Sequence, residues 1–108
     1  MKLLNYKQSG SGSNLVLIHG LFGSLDNLNM IAKALSNDFR VTNLDVRNHG
    51  DSFHENNMNY TDLAQDIINL LDHLKIDKAH ILGHSMGGKI AMEVALVFPD
   101  RINKLVVA

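Results

Sequence analysis

Apolar residues fall along this chain in two alternating kinds of run, and the alternation predicts the architecture. Asn14-Leu15-Val16-Leu17-Ile18, Ala79-His80-Ile81-Leu82 and Leu105-Val106-Val107-Ala108 are short, nearly continuous apolar stretches of the type found in strands buried on both faces of a parallel sheet. Phe39 to Leu44 is a more polar strand candidate, and Leu3 to Lys7 a short first one. Between these runs the apolar spacing changes to three and four. Leu25, Leu28, Ile31, Ala32 and Leu35 share a helical face behind Ser24, a good N-cap residue, and Asn37-Asp38 marks the exit. Leu63, Ile67, Leu70, Leu71 and Leu74 line a second helix starting near Asn59 to Thr61, with Asp62 and Asp66 near its positive end. Ile90, Ala91, Val94, Ala95 and Phe98 line a third, from Gly88 to the stop at Pro99.

Strands alternating with helices in this way define the α/β class: a mostly parallel sheet with helices on both faces. Right-handed crossovers then bring the exit loop of every parallel strand to one edge, where open sheets of this class bind ligands. Three loops meet there: His19 to Gly23, Asp45 to Ser52, and Gly83 to Gly88. The small residues from Gln8 to Ser13 form a turn, and Phe53 to Asn59 is a polar surface loop. Gly10-x-Gly12 lacks a third glycine and opens no helix, so it is no dinucleotide site.

The third loop carries the chemistry. Gly83-His84-Ser85-Met86-Gly87 fits G-x-S-x-G between a strand and a helix. A chain reversing that sharply strains its central residue and crowds its neighbours, which Gly83 and Gly87 relieve. The bend lifts the Ser85 hydroxyl clear of the sheet and aims the first helical N–H groups at an oxygen under attack. The same window, Gly83 to Lys89, also fits most of the P-loop pattern, and a nucleotide-binding module is the alternative reading. That pattern fails at Ile90, where a hydroxyl should hold Mg²⁺. A glycine-rich turn without chemistry is the bland reading of the window.

Composition narrows the partners. With 108 residues the chain is at most one domain, and a net charge of -1 without a basic cluster speaks against nucleic acid or an anionic membrane. The absence of cysteine excludes a disulfide framework and suits a cytoplasmic location. No apolar run is long enough to span a bilayer, and Met1 to Leu4 runs directly into Asn5 without a signal-peptide core. Of the six histidines, His84 is expected to point away from Ser85, His19 to order its own loop, and His54 and His73 to be solvated. His49 lies on the same edge, but no spacing sets it as a base for Ser85, and no spacing makes His19, Asp45, His49 and His84 a metal site. Scattered charges, Lys89 among them, read as solvated surface.

His19-Gly20-Leu21-Phe22-Gly23-Ser24, Asp45 to Ser52 and Gly83 to Lys89, in this order and each behind a strand, resemble the α/β-hydrolase family along essentially the whole chain. Within it the sequence is most similar to the small bacterial YbfF-type serine esterases. The resemblance implies that Ser85 is the nucleophile toward a small acyl ester. It implies an oxyanion hole built from the Met86 N–H and an N–H of the His19-Gly20 loop, Leu21 before Phe22. It gives the Asp45 to Ser52 loop a supporting role beside the elbow, and calls for no cofactor and no metal. The family's acid and histidine both follow the elbow, yet no histidine follows Ser85 here. The expectation is therefore a single partial domain over 1–108, the N-terminal half of an α/β-hydrolase fold, from a protein about twice as long. Alone, such a piece is expected to be catalytically inactive.

Overall fold

The computed structural model describes residues 2–108. β1 (Tyr6–Ser9), β3 (Phe39–Leu44), β2 (Ser13–Ile18), β4 (Ala79–Gly83) and β5 (Ile102–Val107) form one sheet in that spatial order. β1 pairs antiparallel with β3, and the other pairings are parallel. α1 (Asn29–Leu35) follows a 3-10 turn at Leu25–Leu28, α2 (Tyr60–His73) precedes β4, and α3 (Met86–Val97) follows it. A second 3-10 turn, Pro99–Arg101, leads into β5.

The apolar run of β2 is continuous because alternate residues face different layers. Val16 and Ile18 join Leu44, Ile81 and the inner faces of α2 and α3. Leu15 and Leu17 pack with Leu28, Ala32 and Val41 on the other side. Helices therefore cover both faces, as the sequence pattern requires.

Register is what places the site. Ile18 pairs with both Leu44 and Gly83, and Gly83 with Val107, so the parallel strands end level with one another. The loops after β3, β2 and β4 consequently leave the sheet side by side. Three expectations need correcting. The first strand runs over Tyr6–Ser9 rather than from Leu3, because Asn5 gives its N–H to Ser52 Oγ, 2.8 Å away. Ile31 is exposed, since the 3-10 opening of this helix shifts the phase of the residues behind it. β5 is an edge strand with Leu105, Val106 and Val107 exposed, not a buried one.

Candidate active site

Between the end of β4 at Gly83 and the start of α3 at Met86, two residues turn the chain. Ser85 takes most of the bend, with φ 58° and ψ -118°. Backbone strain of that kind costs about 1–3 kcal/mol in a residue with a side chain and persists only where the surroundings enforce it. They do. The N–H of His84 donates to Ile18 O and that of Ser85 to Ala108 O, both at 3.0 Å, while Gly87 and Gly88 donate to His84 O and Ser85 O at 2.9 Å. A Cβ on Gly83 would lie 2.2 Å from Gly87 O, and one on Gly87 would lie 2.1 Å from Ile18 O. Both glycines are needed for close approach, as the crowding argument anticipates.

This pattern also bears on the P-loop reading. A phosphate cradle needs several consecutive amides pointing into one hollow. Here His84, Ser85, Gly87 and Gly88 all give theirs to protein carbonyls. Among the described residues, only the Met86 N–H of this loop finds no protein acceptor. The loop therefore offers one amide, at the N-terminus of a helix with no acidic residue in its first turn.

The loop after β2 comes up against the serine. A Cβ on Gly20 would sit 3.2 Å from Ser85 Cβ, so glycine lets this loop close on the elbow. Gly23 N–H donates to Gly20 O at 3.0 Å and closes the turn. Phe22, at φ 62°, gives its N–H to His49 Nε2 at 3.1 Å. The N–H of Leu21 has no protein acceptor among the described residues. Of the two candidates on this loop, Leu21 has a free amide and Phe22 does not.

Beneath lies a polar layer. His19, fully buried, accepts the Val46 N–H at Nε2 (2.9 Å) and approaches Gly20 O through Nδ1 (2.7 Å). Burial pushes its pKa below the ordinary 6.5; the Gly20 carbonyl opposes the shift, and His49 adds to it. Burial alone would raise the Asp45 carboxylate. It is instead held below its ordinary 3.8 by hydrogen bonds from the Leu25 N–H, the Asn5 side chain and the Asp51 N–H. The Asp45 to Ser52 loop hydrogen-bonds to the loop after β2, to Asn5, to the loop that follows it and to α2, and among the described residues not to the elbow.

Not every charge is solvated. Arg47 grips Asp66 with two bonds, Nε–Oδ2 at 2.6 Å and a second nitrogen to Oδ1 at 2.8 Å, both residues being buried. The signal was present in the sequence: Asp66 stands three residues after Leu63 and four before Leu70, on the apolar side of its helix. His84 is likewise corrected. It is exposed and lines the same cleft as Ser85, because strand alternation stops at Gly83. His54 and His73 are exposed as expected. No group of three or more His, Asp or Glu among the described residues is placed to hold a metal ion.

Two hollows flank Ser85. One, of about 540 Å³, lies toward α1 and is lined by Leu28, Ile31, Asn27 and His84. The other, of about 330 Å³, lies toward α2 and is lined by Met58, Tyr60, Leu63 and Lys89. A hydroxyl between two hollows, with one free amide on each adjoining loop, suits attack on a carbonyl carbon whose two substituents lie on opposite sides.

A mostly parallel sheet whose strand-to-helix bend carries a serine at positive φ defines a class, and the sequence profile of the alpha/beta hydrolase fold matches residues 14–108. The chain belongs to that family. It is 51% identical to Esterase YbfF of Escherichia coli over 96 residues, covering 89% of this chain and 38% of that protein. It is 46% identical to the sn-1-specific diacylglycerol lipase ABHD11 of Xenopus laevis, over 94% of this chain and 33% of that one. The solved structure of a marine microorganism esterase superposes with a TM-score of 0.97 at 40% identity, over 99% of this chain and 41% of that one. The chain thus spans well under half the length of the relatives it matches. No helix among the described residues is long and apolar enough to cross a membrane.

Proposed function

We propose that this chain carries the nucleophile and oxyanion half of a serine hydrolase of carboxylesterase or thioesterase type, acting on small acyl esters. The observation that carries the reading is Ser85 held at φ 58° beside the unclaimed amides of Leu21 and Met86. In this reading the Ser85 oxygen attacks the ester carbonyl carbon while its proton passes to a histidine. The carbonyl oxygen gains the negative charge and takes hydrogen bonds from Leu21 and Met86. Collapse expels the alcohol or thiol with that proton and leaves an acyl-enzyme, which water clears by the same steps in reverse. In this reading the acid and the histidine lie outside residues 1–108, because the family's triad order puts both after the nucleophile and no histidine follows Ser85 here. The names of the relatives, esterase and lipase, support the substrate class.

In the full-length protein a fluorophosphonate probe should label Ser85, and Ser85→Ala should remove both labelling and turnover of a short-chain nitrophenyl ester. Unchanged ester turnover in the Ser85→Ala protein would overturn the reading. A segment of 1–108 alone should bind such esters weakly and turn none over.

A further inference from the structure

Resting on that reading, we propose that His49 is a positioning residue for oxyanion stabilisation: its imidazole holds the Phe22 amide and thereby fixes where the Leu21 N–H points. Phe22 sits at φ 62° and is 91% exposed, so packing of the ring does not keep this residue in its strained conformation. Two hydrogen bonds hold it: the Gly23 N–H to Gly20 O bond, which closes the turn with Phe22 in its third place, and the bond from its own N–H to His49 Nε2 at 3.1 Å.

His49 is itself fixed. Because Nε2 accepts, the ring proton is on Nδ1, where it faces Arg47 O at 2.9 Å. Arg47 in turn is locked to Asp66 of α2 and donates to Asn57 O at 3.0 Å. The His49 ring also lies against that of His19, centroids 5.1 Å apart.

Peptide geometry turns this support into aim. A trans peptide is planar, and its C=O and N–H point in opposite directions. The Gly20 carbonyl, held by the Gly23 N–H at 3.0 Å and by His19 Nδ1 at 2.7 Å, sets the plane that contains the Leu21 N–H. The Leu21-Phe22 peptide on the other side is set by His49. Leu21 is thus clamped between two planes, each tied to a buried imidazole. Without the second tie the Leu21-Phe22 peptide can flip and take Phe22 to negative φ, and the Leu21 N–H keeps only the Gly20 side of its clamp.

Two conservative variants separate the atoms of this ring. Asn at 49 keeps a donor near the place of Nδ1 for Arg47 O but ends short of Phe22. Gln reaches toward the place of Nε2 and supplies an oxygen acceptor there. In the full-length protein, His49→Asn should lower kcat about ten- to a hundredfold on a nitrophenyl ester with KM changed by no more than about twofold. His49→Gln should retain kcat within about threefold, and affinity for a trifluoromethyl ketone should fall in step with kcat/KM. A His49→Asn protein with wild-type kcat, an equal fall in both variants, or a loss confined to KM would each overturn the assignment. Wild-type protein without Ser85-dependent turnover overturns the serine-hydrolase reading itself, and this inference with it.

Discussion

At Ser85 a stability cost and a candidate chemical role fall on the same atoms. A side chain at φ 58° and ψ -118° is tolerated because the flanking amides are tied to β2 and to the end of β5. Glycine populates positive φ freely, so Ser85→Gly should raise stability by about 1 kcal/mol relative to Ser85→Ala, measured by urea unfolding of the two variants side by side. Equal stability would mean that the bend is not strained. The buried polar layer makes a second residue-level prediction. His19 is held below its ordinary 6.5, so as pH falls through that value the unfolded chain takes up a proton that the folded one refuses. Stability is therefore full above 6.5 and declines below it. Asp45 is held below its ordinary 3.8, so its contribution is present above that value and is lost only as pH drops further. Urea midpoints should fall in two stages between about pH 7 and pH 3, the lower one missing in Asp45→Asn. A midpoint that stays level from about pH 7 to pH 5 counts against a buried neutral His19.

Among the elements, α2 shows most clearly what periodicity reveals and what it hides. Its start near Asn59 to Thr61 and the burial of Leu63, Ile67, Leu70 and Leu71 follow from spacing, because a helix face is a local property of the chain. β3 matches its expected span, Phe39–Leu44, for the same reason. The apolar spacing places Asp66 on that buried face, but its partner Arg47 is 19 positions away and no local pattern announces the pairing. The site divides in the same way. The elbow is legible because five consecutive residues build it, whereas the bond from Phe22 to His49 crosses 27 positions and has no local signature. The Arg47–Asp66 pair ties the loop after β3 to α2, with side chains only 10% and 7% exposed. Removing one partner leaves a buried charge alone, so Arg47→Ala should cost about 3–5 kcal/mol. Replacing both partners with apolar residues of similar size should cost far less. A double-mutant cycle in urea checks this, and additive single losses would show that the two side chains are not coupled.

For the molecule as a whole, the two edges of the sheet are managed in opposite ways. β1 is four residues long, carries Lys7 and Gln8, and runs antiparallel: a short, polar edge that discourages further pairing. Among the described residues β5 pairs only with β4, and it presents Leu105, Val106 and Val107 at 37%, 52% and 49% exposure. The neighbouring end of α3 adds Leu96 at 78% and Val97 at 49%. An apolar edge strand beside an apolar helix end is a template for whatever backbone is offered, whether a further strand of the same fold or a second molecule. Residues 1–108 expressed alone should therefore self-associate through β5. Val106→Lys, which sets a charge on that edge, should shift the population toward monomer in sedimentation, and Lys7→Val on β1 should not mimic the parent's association if placed in the Val106→Lys background. A segment of 1–108 that sediments as a monomer and melts cooperatively would show that the β5 edge is not the liability its composition and exposure make it.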